Sequence, residues 1–174
     1  FFVTLPFINK PAHIDDIFVL YGKEQILKEP LNPYGFEMEF GSVRNSFFVY
    51  GDPPLMFYYL ALATIFLGKS LTALHISTVI FPLIAAFSMY FLARKFTKQN
   101  LYAALILVAT PTFMAMSHNF MQDVPIASLF LLSITLFVYG IDKNNNWLLF
   151  ASAFFAGMAY LIKYTGLLLI PLLV

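Results

Sequence analysis

Residues 71–93 read LTALHISTVIFPLIAAFSMYFLA, a stretch with no Asp, Glu, Lys or Arg, and Arg94, Lys95 and Lys98 follow at once. About 20 apolar residues in a helix cross the hydrocarbon core of a bilayer, so this stretch reads as a span and the basic cluster as its anchor. Working outward, residues 101–117, 124–141 and 147–162 are similarly apolar, and a further run fills 164–174. Residues 1–8 read as the end of an earlier span. Short connections force neighbouring helices to run antiparallel. The expected architecture is therefore all-α, a multi-spanning transmembrane helix bundle, with residues 9–69 forming an extracytoplasmic first loop that contains interfacial helices. The chain opens on Phe1 without a basic leader and stops inside an apolar run, so it reads as the amino-terminal part of a longer protein.

Composition supports the bilayer as solvent. Of 174 residues, 60% are hydrophobic, 18% aromatic and 11% charged, whereas soluble domains carry about 45–50% apolar and about 25% charged residues. Cysteine is absent, which removes disulfides, thiolate metal sites and thiol nucleophiles. A net charge of +1 argues against a nucleic-acid partner. The chain contains no Walker or dinucleotide glycine loop, no HExxH and no GxSxG.

Sidedness follows from the basic residues, because Lys and Arg are retained on the cytoplasmic side. With Arg94, Lys95 and Lys98 inside, counting crossings places 117–123 outside, 142–146 inside and Lys163 outside, so Asp123 and Lys163 share the external face. Residues 54–67 are short for a span and open on two prolines, which fits an interfacial or re-entrant helix. The loop before them mixes Lys10, Lys23, Lys28 and Arg44 with Asp15, Asp16, Glu24, Glu29, Glu37, Glu39 and Asp52, a balance that suits the external side. Within it, residues 15–28 place Ile17, Leu20, Tyr21, Ile26 and Leu27 near helical spacing and read as a surface helix. Turn signals follow at Glu29-Pro30 and Asn32-Pro33-Tyr34-Gly35.

Chemistry-bearing residues are few. Asp15 and Asp16 stand together at the start of the surface helix, where adjacent carboxylates suit a base or a cation site as well as simple capping. Asp123 precedes a span, where an ionisable group suits either function or an N-cap. His118 suits a metal ligand or proton relay, against a plain solvated loop histidine. Lys163 interrupts the apolar stretch from Trp147 onward and suits either an anionic partner such as a phosphate or snorkelling toward head groups. Asp52 precedes Pro53-Pro54, with Tyr58 and Tyr59 following, and also suits a helix cap.

The order of several motifs carries a resemblance: the pair Asp15-Asp16, then Asn32-Pro33-Tyr34-Gly35-Phe36, then Pro53-Pro54-Leu55-Met56-Phe57-Tyr58-Tyr59, then Phe91-Leu92-Ala93-Arg94-Lys95-Phe96, then Met121-Gln122-Asp123-Val124-Pro125, and last the run from Gly157 through Lys163 to Gly166. In this order they resemble the GT-C membrane glycosyltransferases of the protein mannosyltransferase and aminoarabinose transferase group. The resemblance implies transfer of a hexose or pentose from a polyprenyl-phosphate donor to a lipid, protein or glycan acceptor outside the membrane, with inversion at the anomeric carbon. It further implies a base at Asp15, with Asp16 where relatives usually hold Glu, an assisting carboxylate at Asp123, and a phosphate contact at Lys163. Asp52, Tyr21, His118 and Tyr58 are candidate donor or acceptor contacts. Positive charge at the leaving phosphate would come from Lys163 or from a divalent metal ion as cofactor. The expected setting is a bacterial or archaeal plasma membrane. Phe18 and Val19 depart from the Arg and Tyr of some relatives, as Gly51-Asp52 departs from their Glu-Lys or Asn-His. A transporter or channel, with Asp15, Asp123 and Lys163 lining a pathway, is the rival from another class, and a scaffold with every charge serving as cap or anchor is a third.

Overall fold

A computed structural model describes residues 7–13, 15–40, 43–46 and 51–173. Most of the expected first span, residues 1–6, lies outside the described residues. The architecture is all-α apart from one short hairpin. Helix α1 is Asp16–Lys28, and strands β1 (Glu37–Phe40) and β2 (Val43–Ser46) pair antiparallel with Glu37 opposite Ser46. The helices continue with α2 (Leu55–Leu67), α3 (Leu71–Thr78), α4 (Ile80–Ala93), α5 (Asn100–Ala109), α6 (Pro111–Met116), α7 (Asp123–Asp142) and α8 (Asn146–Ile162), and a 3-10 helix spans Tyr164–Leu172. The hairpin was not among the expected elements.

Among the described residues, Leu71–Ala93 and Asp123–Asp142 are long and apolar enough to cross a membrane. The first is α3 and α4 joined at Val79, whose backbone stays in the helical region. The run expected to span 101–117 is broken. Pro111 has no N–H to donate, and it drives Thr110 to an extended conformation (φ −64°, ψ 134°) that ends α5 and starts α6. The run after Lys163 likewise forms a 3-10 helix, with Pro171 inside it.

Hydroxyl-to-carbonyl bonds join the long helices. Ser128 donates to Phe81 O at 2.7 Å, Thr135 to Ser88 O at 3.1 Å and Tyr139 to Phe91 O at 3.1 Å. Partner numbers rise together along both chains, so α4 and α7 run parallel. Ser133 and Ser152 exchange bonds with each other's carbonyls at 2.9 and 2.8 Å, which zips α7 to α8. Such bonds contribute about 0.6 kcal/mol each between membrane helices, where no hydrophobic drive separates helix from lipid. Gly140 lets α8 close in, since a Cβ there would meet Leu149 Cδ2 at 2.7 Å.

Two ends of the bundle result. Lys95 and Asp142 form an ion pair at one end, and Lys163 and Asp123 form another at the opposite end. Helix α1 packs on α2 above the second end. Its buried face is Val19, Gly22, Lys23 and Ile26, while Ile17 and Tyr21, expected on the apolar face, are exposed. Gly22 decides this choice, because the Phe57 ring occupies the space its Cβ would fill, 2.6 Å away.

Candidate active site

The polar end is assembled from four separate segments. Asp16 is the anchor, with no exposed surface. One carboxylate oxygen accepts the His13 N–H and the other the Phe120 N–H, each at 2.6 Å. A buried carboxylate is tolerated when charged hydrogen bonds replace its water, and here those bonds pin the first loop to the segment leading into α7. Lys10 adds a bond from its ammonium to the Asn119 side-chain oxygen at 2.6 Å.

Asp15 is exposed and makes no side-chain capping bond, although it occupies the N-cap of α1. The adjacent carboxylates therefore serve different environments, one buried and bonded, the other open. Both Asp16 oxygens accept a backbone N–H, whereas the Asp15 carboxylate makes no capping bond. Among the described residues, no group of three or more His, Cys, Asp or Glu side chains is arranged to hold a metal ion.

The charged cluster forms where α7 begins and α8 ends. Asp123 lies in the first turn of α7, where its carboxylate complements the helix dipole, and Gln122 rather than Asp123 is the N-cap. Lys163 caps α8 in an extended conformation, because the chain leaves the helix there to start the 3-10 turn. Gly166 permits this fold-back, since a Cβ at that position would lie 2.3 Å from the Tyr160 backbone nitrogen. The Lys163 ammonium donates to the Asp123 carboxylate at 3.0 Å, and the two side chains remain 34% and 42% exposed. The anionic partner sought for Lys163 is thus present within the chain, and enough of both groups stays open for a third group to join.

Asp52 completes the cluster, and it is not a helix cap, since Pro54 holds the N-cap of α2. Burial lifts its carboxyl above the usual carboxylate range, Lys163 pulls it back, and Asp123 lifts it again. With its amide turned to satisfy its neighbours, Gln122 donates to the Asp52 carboxylate at 2.6 Å and to the Ile162 carbonyl at 3.3 Å. Tyr34 donates to the Asp52 carbonyl at 3.2 Å. Burial, then Tyr164, Asp52 and Tyr58 nearby, push the Tyr34 phenol up to about 12, so it remains a donor at neutral pH.

Other candidates are placed differently. Tyr58 donates to the Pro30 carbonyl at 2.6 Å and fastens α2 to the first loop. Tyr21 stacks on Phe36 with centroids 6.5 Å apart, on the exposed side of α1. His118 is buried against Phe7, ring centroids 4.7 Å apart, which corrects its reading as a solvated loop residue. Burial, then Lys10 and His75, hold its imidazole below the ordinary range. Gln122, Tyr34 and Tyr164 escaped the sequence reading as site residues, although all three lie inside motifs quoted for the resemblance.

The geometry unites charges from the residue before Pro53-Pro54, the start of α7 and the end of α8. The family model described as dolichyl-phosphate-mannose-protein mannosyltransferase matches residues 51–174, more than half of the chain, and it takes in those three segments. The chain belongs to that family. Its members are GT-C-type glycosyltransferases, and the family and the two long apolar helices together mark a membrane protein. No curated protein and no solved structure matches the chain. In this chain Asp52, Asp123 and Lys163 are charges that the fold brings together, while Asp16 ties the first loop to the segment leading into α7.

Proposed function

We propose that this chain forms part of an enzyme that moves a hexose or pentose from a polyprenyl-phosphate donor to a hydroxyl of a lipid, protein or glycan acceptor, on the extracytoplasmic side and with inversion. The observation that supports this reading is the closure of Lys163 on Asp123 beside the half-buried Asp52, in a chain of the mannosyltransferase family. The donor's phosphate would approach the exposed part of Lys163, whose ammonium has three N–H donors and spends one on Asp123. Asp15, open to solvent, is the base.

The transfer is a single displacement. The acceptor oxygen attacks the anomeric carbon as its proton passes to the Asp15 carboxylate. The bond between that carbon and the phosphate oxygen breaks, and its electron pair leaves on the phosphate. Attack opposite the departing phosphate inverts the anomeric carbon. A phosphate leaves without needing a proton, so a fixed positive charge is the useful aid. Asp123 orients Lys163, and Gln122 with Tyr34 fixes Asp52 alongside as a polar contact for sugar or acceptor.

The test is release of free polyprenyl phosphate from a panel of polyprenyl-phosphate sugars by membranes containing the full-length protein. Release by the wild type that Asp15→Asn abolishes supports the reading and names the sugar. No release across the panel, together with no donor binding, overturns it in favour of transport.

A further inference from the structure

Sugar transfer leaves one large feature of the bundle unused. An apolar groove of about 540 Å³ runs between α4 and α7, walled from Ile80 to Phe91 on one helix and from Leu132 to Tyr139 on the other, and it ends at Lys143. Two of its polar side chains are turned inward to the backbone: Thr135 donates to the Ser88 and Leu131 carbonyls and Tyr139 to the Phe91 carbonyl. The walls therefore present mainly hydrocarbon. Both belong to the two segments long and apolar enough to cross a membrane, so a surrounding bilayer would bring lipid chains against the groove.

Length and charge specify the occupant. From Ile80 to Phe91 the wall is about 16 Å long at about 1.5 Å per residue, and a bilayer core of about 30 Å gives each leaflet about half of that. One acyl chain of one leaflet fills such a groove from end to end. At its polar end the Lys95 and Lys143 ammonium groups lie 4.3 and 5.6 Å from the Tyr139 ring centroid, and the Arg94 guanidinium lies over Phe91. Asp142 is the acid paired there, with Lys95. Positive charge is in excess where a head group would sit.

We propose that this groove binds one anionic phospholipid of the leaflet on the Lys143 side, with an acyl chain between α4 and α7 and its phosphate at Lys143. The site lies at the opposite end of the bundle from Lys163, so it is separate from the donor site and does not depend on the transfer reading.

Native mass spectrometry of the purified full-length protein tests this, with phosphatidylglycerol and phosphatidylcholine as probes. The wild type retains one phosphatidylglycerol in preference to phosphatidylcholine. Lys143→Gln weakens phosphatidylglycerol binding about fivefold, the share of one basic residue facing an anionic head group, and leaves phosphatidylcholine unchanged. Leu136→Trp, which fills the groove, loses the retained lipid altogether, and Asp15→Asn keeps it. Equal binding of the two lipids by the wild type, or unchanged binding in Lys143→Gln, overturns the proposal. So does a cross-link from Leu136→Cys to another helix of the protein or to a second copy, since the groove would then be covered by protein.

Discussion

Lys163 Nζ stands 3.0 Å from the Asp123 carboxylate across 40 residues of sequence, and this contact joins the end of α8 to the start of α7. Both side chains are part-exposed, so the pair adds little to stability and its charge remains available to a ligand. Lys163→Gln is expected to reduce turnover of a polyprenyl-phosphate sugar by about 10²-fold, the usual effect of losing one group that stabilises developing negative charge. Lys163→Arg retains a larger share. Steady-state release of polyprenyl phosphate, with thermal unfolding showing that both variants are folded, checks this.

Asp15 and Asp16 are expected to separate cleanly. Asp16→Ala strands the Phe120 and His13 N–H donors, and losing charge-assisted bonds of this kind costs about 3 kcal/mol. Thermal unfolding in detergent should register that loss. Asp15→Asn, at an exposed position, should unfold with the wild type while losing sugar transfer. The opposite pattern would exchange their roles.

Asp52 sets a pH dependence. Its folded-state affinity for a proton is raised mainly by burial, so between the ordinary value of 3.8 and the raised one the folded protein binds more protons than the unfolded chain. Stability therefore falls as pH rises through that window. Asp52→Asn removes this component, and unfolding midpoints measured from pH 4 to 7 should fall less with rising pH in the variant than in the wild type.

The apolar runs made the all-α bundle legible, because a long stretch without charge has few alternatives to a buried or lipid-facing helix. The breaks were less legible. Pro111 sits in the middle of an apolar run, and hydropathy alone does not register its missing N–H. The hairpin at Glu37–Ser46 was masked by its charged, loop-like composition. Within the site, Asp123 and Lys163 were placed on one face by counting crossings, but Asp52 joined them only through tertiary folding. Asp15 and Asp16 read as one pair, since residue type does not show which of two neighbouring carboxylates turns inward. The buried face of α1 was misjudged for a similar reason: the partner ring of Phe57 selects Gly22, which hydrophobic periodicity ignores.

Gly166 offers a test of how Lys163 is presented. A methyl group there would lie 2.3 to 2.5 Å from backbone atoms of Ala159 and Tyr160, and such overpacking costs about 1–3 kcal/mol. Gly166→Ala should lower thermal stability and displace Lys163 together, so that donor affinity falls even in the fraction that remains folded. Retained donor affinity in the folded fraction would mean that the 3-10 turn is not what positions the lysine.

The most direct measurement is single-turnover transfer from radiolabelled polyprenyl-phosphate mannose by the full-length protein, comparing wild type, Asp15→Asn and Lys163→Gln, with the product's anomeric configuration read by NMR. The account predicts inverted product from the wild type, none from Asp15→Asn, and slow formation by Lys163→Gln. Retained configuration, or equal rates in all three proteins, would contradict it.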